Sequence, residues 1–286
     1  VSRQTSTGSW IGAVVVVLAV VVAGIYLARK AMQPQETAAS VPTAPAPMDS
    51  LASVGSGMPI QHPIEQAQSV PAAASTAALP MLEESDANVT EALALLADGS
   101  ELSSLLVSNQ VITRIVTTID ALPRHHGLGS TTLPARTPKG AFAVDMVDGM
   151  AVAGAANDAR YAPYMKVVDA VDPQSLVTWY AHAYPLFQQA YRQLGYPDGY
   201  FNDRLIVVID DLLAAPEPEQ PPALTQSDAF HVYADPALES LSAGQKLMLR
   251  VGHDNEVRIK TKLRAIRAAL LGHDLREVPA TPVTAG

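Results

Sequence analysis

The 286-residue chain has no cysteine at all. That excludes disulfide scaffolds, thiolate metal sites, iron–sulfur clusters and cysteine nucleophiles, and it suits an oxidising compartment. Aromatic residues make up only 5% of the chain although 48% is apolar, so alanine and valine supply much of its hydrophobicity. Positive charge is also scarce: 19 Lys and Arg against 28 Asp and Glu give a net charge of −9 and a pI near 5.2. A surface of that sign argues against nucleic acid as a partner. Walker loops, GxGxxG, GxSxG and HExxH are all missing, which removes the usual NTPase, dinucleotide, serine hydrolase and zinc-protease signals. The seven His show no metal-ligand spacing, so neither a metal nor a cofactor is expected.

What is present falls into four stretches. Residues 1–9 form a short tail. From Trp10 to Leu27 run 18 residues without a charge, seven of them Val. At helical rise they span ~27 Å, enough for a hydrocarbon core. Trp10 and Tyr26 stand at its ends, where amphipathic rings favour the interface. Arg29 and Lys30 follow directly, with no small-residue cleavage site, so residues 10–28 read as a retained membrane anchor. Residues 29–80 read as a disordered linker: 31–80 hold eight Pro, twelve Ala, six Ser and neither a Lys, an Arg nor an aromatic. Such a segment cannot bury enough apolar surface to offset its ordering entropy.

Residues 81–286 are expected to form a mainly α head with one β-hairpin. Helical spacing marks Val89–Leu96, Ile112–Leu122, Asn202–Leu213 and Asn255–Leu271. Asp172-Pro173 and Asp235-Pro236 read as N-cap plus proline, and Ser242 with Gln245 as a capping box. The helix after Asp172 runs to Leu194, and Pro185 should kink or split it. Asp148-Gly149 suits the hairpin turn, and Phe230–Tyr233 suits a short strand. Charge is segregated, with nine acids and one base from Asp198 to Glu239 and seven bases and two acids from Lys246 to Arg267. The two regions are expected to match each other internally.

Two sets of residues could carry chemistry. Tyr180, Tyr184 and Tyr191 share a helical stripe and, with Arg204, could form a docking or carbohydrate surface. Asp203, Asp210 and Asp211 could supply the paired carboxylates of a glycan hydrolase. The competing reading makes the tyrosines core edge and the acids helix caps.

The strings ITRIVTTIDALPR (112–124), ARYAPY (159–164), YPLFQQAYRQLGYPDGYFNDRLIVVIDDLLAAPEPE (184–219) and ADPALESLSAGQKLMLRVG (234–252) carry a resemblance. Over roughly 110–271 the chain resembles the bacterial family catalogued as domain of unknown function 3014. The resemblance implies an inner-membrane envelope protein with an anchor, an Ala/Pro linker and a head in the periplasm. It carries no catalytic residue or cofactor to this chain. The expected function is therefore a non-catalytic docking or structural module for a protein or cell-wall partner, with the glycan hydrolase as the alternative.

Overall fold

Helix starts are where local chemistry speaks most plainly in this chain. The computed structural model describes residues 59–68, 79–96, 101–125, 133–227 and 230–272. Its helices are α1 (Asp86–Leu96), α2 (Glu101–Leu105), α3 (Val111–Ala121), α4 (Ala156–Ala170), α5 (Pro173–Gln193), α6 (Phe201–Leu213), α7 (Pro236–Glu239), α8 (Ala243–Arg250) and α9 (His253–Leu270). Asp172 caps α5 by accepting from the Ser175 N–H at 2.8 Å, with Pro173 at the first helical position. Asp235 caps α7, and Ser242 with Gln245 forms the expected capping box at α8.

Other starts are served by carboxylates from elsewhere in the chain. The backbone of Gln110 is left-handed (φ 53°), and its N–H and that of Val111 donate to Asp86 at 2.7 and 2.8 Å. Asp145 accepts from the Ala155 N–H at 3.1 Å and so serves α4.

Four strands make one antiparallel sheet in the order β1 (Val144–Val147), β2 (Met150–Ala153), β3 (Ala223–Ser227), β4 (Phe230–Tyr233). Asp148 (φ 50°) and Gly149 (φ 78°) both take positive φ, as a two-residue type I′ turn requires. The single hairpin expected from the sequence is thus half of the sheet. Strand β3 pairs with β2 (Ala151↔Leu224) and with β4 (Leu224↔Tyr233). It escaped notice because ALTQS carries neither alternation nor a run of β-branched residues.

Helix α4 was also missed, since Pro163 inside it argues against a helix. Burial of Tyr161, Tyr164, Met165, Val167 and Val168 outweighs the lost hydrogen bond. Pro185 likewise fails to divide α5, which is assigned as one helix of 21 residues.

The core is seamed by aromatics. Phe187 of α5 stacks on Phe201 of α6 at 5.7 Å, with Trp179 and Tyr180 edge-on to Phe187 at 5.8 and 5.3 Å. Around them pack the buried faces of α1, α3, α4, α6 and α9. A smaller apolar cluster of Leu224, Tyr233 and Leu249 joins the sheet to α8.

Residues 59–68 correct the expectation of disorder across 29–80. They lie against α5 and α9, form a 3-10 turn at Ile64–Gln68 and bury Ala67 in the main core. The anchor segment 10–28 lies outside the described residues. Among those described, no helix is long and apolar enough to cross a membrane.

Helix α8 meets the end of α3 backbone to backbone, with the Gly244 N–H on the Leu122 carbonyl at 2.9 Å. A Cβ at Gly244 would stand 2.7 Å from Leu212 Cδ2 and 3.3 Å from that carbonyl. Overpacking against that carbonyl is expected to outweigh the helix preference for alanine over glycine, so Gly244→Ala should destabilise the protein by about 1 kcal/mol net. Urea unfolding checks this, and an unchanged midpoint would contradict it.

Candidate functional site

The tyrosine stripe of α5 faces inward. Tyr180 is fully buried, its hydroxyl without a hydrogen-bond partner, and its ring lies edge-on to Tyr184 at 5.9 Å. Tyr191 is buried and stacks on Tyr196 at 4.6 Å. Tyr184, half-buried, donates to Gln188 Oε1 at 2.8 Å. Gln188 also accepts from the Phe201 N–H at 2.9 Å and donates to the Gly199 carbonyl at 2.7 Å, fixing the turn into α6. Burial raises the Tyr180 hydroxyl and pushes that of Tyr184 up to about 12, so both stay protonated at neutral pH. Tyr180 and Tyr191 are core residues, not the exposed docking surface the stripe suggested.

Arg204 also faces inward, onto Asp120. Its Nε lies 3.0 Å from Asp120 Oδ1, and its Nη2 donates to the Asp120 carbonyl at 2.6 Å. Arg124 pairs with Asp120 Oδ2, and the Tyr196 hydroxyl donates to the same oxygen at 3.2 Å. Arg124 in turn donates to the Tyr196 oxygen at 3.0 Å. A buried carboxylate thus gathers two guanidinium groups and a phenol from three parts of the chain. Sequence reasoning did not single out Asp120. The available signal was an acid one residue after Ile119, on the flank of an otherwise apolar helix face.

The three carboxylates considered for catalysis each hold a contact. Asp203, in the first turn of α6, accepts from the His62 and Gln61 N–H groups at 2.6 and 3.1 Å. It caps residues 61–62 rather than its own helix. Asp210 accepts two hydrogen bonds from Arg267 of α9, at 2.6 and 3.2 Å. Asp211 accepts from the Ser242 hydroxyl at 2.7 Å, and burial raises its carboxyl against that bond.

The segregated charge also closes on itself. Lys246 pairs with Glu239 at 2.9 Å. Lys260, buried, meets Glu217 at 2.8 Å and Glu256 at 3.0 Å and donates to the Ala215 carbonyl. On the other flank of α9, Arg258 pairs with Asp169 and Lys262 donates to the Val171 carbonyl. The lysine and arginine stems cover apolar surface while their heads find partners.

A cleft of about 640 Å³ opens between the sheet, α4 and the start of α9. Phe142, Leu224 and Tyr233 give it apolar wall, and Asp158, Arg250 and Asp254 give it charge. Burial, then the neighbouring Asp254, raise the Asp158 carboxyl. Among the described residues no group of three or more His, Cys, Asp or Glu converges to hold a metal ion.

These features define a helical domain with a small antiparallel sheet, its tyrosines and most of its charges engaged internally. The chain belongs to the family described as protein of unknown function (DUF3014), whose model matches residues 111–267. The match opens at the first residue of α3 and closes on Arg267, the partner of Asp210. It takes in Asp120, Tyr196, Arg204 and the whole sheet. Neither the curated proteins nor the solved structures compared with the chain give a significant match.

The hydrogen bond from Lys260 holds the Glu217 carboxyl below its ordinary value of 4.5. A depressed folded-state pKa contributes stability that is present above the ordinary value and lost as pH falls through the depressed one. Wild type is accordingly expected to exceed Glu217→Gln in urea midpoint at pH 7, and the two midpoints to converge as pH falls from the ordinary value of 4.5 through the depressed one. Glu256, raised first by burial and also by the Glu217 charge, has the opposite sign, and its smaller shift in Glu217→Gln narrows the difference without abolishing it. A difference that persists undiminished at acid pH would contradict this account.

Proposed function

We propose that the protein is a bacterial inner-membrane envelope protein, anchored through residues 10–28, whose periplasmic head docks a protein or cell-wall partner without catalysing a reaction. The charge-free run at 10–27 and the Ala/Pro-rich stretch after it support a tethered head. Net charge −9 speaks against a nucleic-acid partner.

The observation that carries the docking reading is the tip of the β1–β2 hairpin. Met146 (68% exposed), Val147 (49%) and Met150 (53%) flank the Asp148-Gly149 turn, Val147 and Met150 as a cross-strand pair on one face of the ribbon and Met146 on the other. They are three of the eight large exposed apolar side chains among the described residues, gathered within five positions. Folding does not use them, and exposed apolar side chains that gather in one place mark interaction surfaces. Methionine adapts readily to a partner's shape. The hydrolase alternative has no comparable support, because Asp203, Asp210 and Asp211 all serve packing contacts.

The test is crosslinking and affinity capture of the full chain from its own membrane fraction. A reproducible partner is expected, with recovery at least tenfold lower for Met146→Asp/Met150→Asp at unchanged melting temperature. Equal recovery from wild type and variant would remove the hairpin's role. Muropeptide release by the purified full chain would overturn the non-catalytic reading.

A further inference from the structure

Residues 59–68 lie outside the span matched by the family, yet they occupy a defined place against α5 and α9. We infer that they form a releasable strap in a groove at the start of α6, and that this groove accepts an extended peptide in trans once the strap leaves.

The hydrogen bonds that hold the strap to α6 are made on its backbone. The two oxygens of Asp203 receive two successive N–H groups, from Gln61 and His62. Asn202 Nδ2 donates to the His62 carbonyl at 2.8 Å. Pro63 follows, and its carbonyl opens the 3-10 turn by accepting from the Gln66 N–H at 3.1 Å. A carboxylate and an amide placed this way recognise an extended backbone followed by proline, and require little of the side chains. The partner chemistry is therefore an extended peptide offering two adjacent N–H groups and a carbonyl ahead of a proline. The acid sits in the first turn of a 13-residue helix.

A second, independent observation concerns Asn202. Its side chain is buried and its Oδ1 has no hydrogen-bond partner. The amide that holds the His62 carbonyl thus carries a buried acceptor that the strap leaves unused.

Release is cheap compared with unfolding. Ala67 is the strap's one fully buried apolar side chain, Ile64 is half-buried and Ile60 is exposed. Segments with so few buried contacts open locally without disturbing the core. While docked, the strap competes from within the same chain, at an effective concentration in the millimolar range. The inference is independent of the hairpin: either surface can fail its test while the other stands.

The test uses the full chain with residues 59–68 replaced by a Gly/Ser decapeptide, titrated with a synthetic peptide of the native 59–68 sequence. Shifts in the amide spectrum are expected at 184–188 and 201–204. They should be at least tenfold weaker in wild type, where the groove is filled, and lost when Asp203→Ala is added to the replaced chain. Absence of shifts in the folded replaced chain, or equal shifts in wild type, overturns the inference. Hydrogen exchange on wild type decides the case even if the replaced chain does not fold. The Gln61 and His62 amides should exchange at least 100-fold faster than the core amides of α5, and equal rates overturn the strap's release.

Discussion

A carboxylate taken out of water must be matched by donors, and Asp120 is matched from three directions. Arg204 reaches it from α6, Arg124 from the residues just beyond α3, and Tyr196 from the turn between α5 and α6. The cost of desolvating such a charge is recovered only if every partner is in place. The site therefore sets the relation between α3, the α5–α6 turn and α6. Tyr196 extends it by stacking on Tyr191, and the Arg124 and Leu122 carbonyls extend it by receiving the first N–H groups of α8. The aromatic seam of Phe187 and Phe201 then fills the space between α5 and α6, whose relation is already specified.

The same economy governs the other acids. Asp86, Asp145, Asp172, Asp203 and Asp235 each accept from one or two backbone N–H groups at a helix start or a docked segment. Asp210 and Glu217 meet the bases of α9. An acidic chain with segregated charge thus folds by pairing its halves, which leaves little unspent charge on those helices to recruit an anionic partner. Outside these contacts stand the exposed apolar side chains of the hairpin tip.

Legibility followed the range of the interaction. The caps at Asp172, Asp235 and Ser242, the Asp148-Gly149 turn and the buried stripes of α3 and α6 depend on neighbours within four residues, and they could be read directly. The inward turn of Tyr180 and Tyr191 was visible only as one of two readings, because a helical stripe does not say which side solvent occupies. Strand β3 and helix α4 depend on distant partners that outweigh weak local preference. The docking of 59–68 was illegible for the same reason: its composition predicts disorder, and its order comes from Asp203, more than 130 residues away. Asp120 showed only as an acid beside an apolar face, with nothing local to identify Arg204 as its partner.

The Asp120–Arg204 contact couples α3 to α6. A double-mutant cycle over Asp120→Ala and Arg204→Ala, read by urea unfolding, tests it most directly. An interaction energy of about 2 kcal/mol is expected, within the range for partly buried partners in one network. Additivity to within ~0.3 kcal/mol would show that the two side chains stabilise the protein independently, and would contradict it.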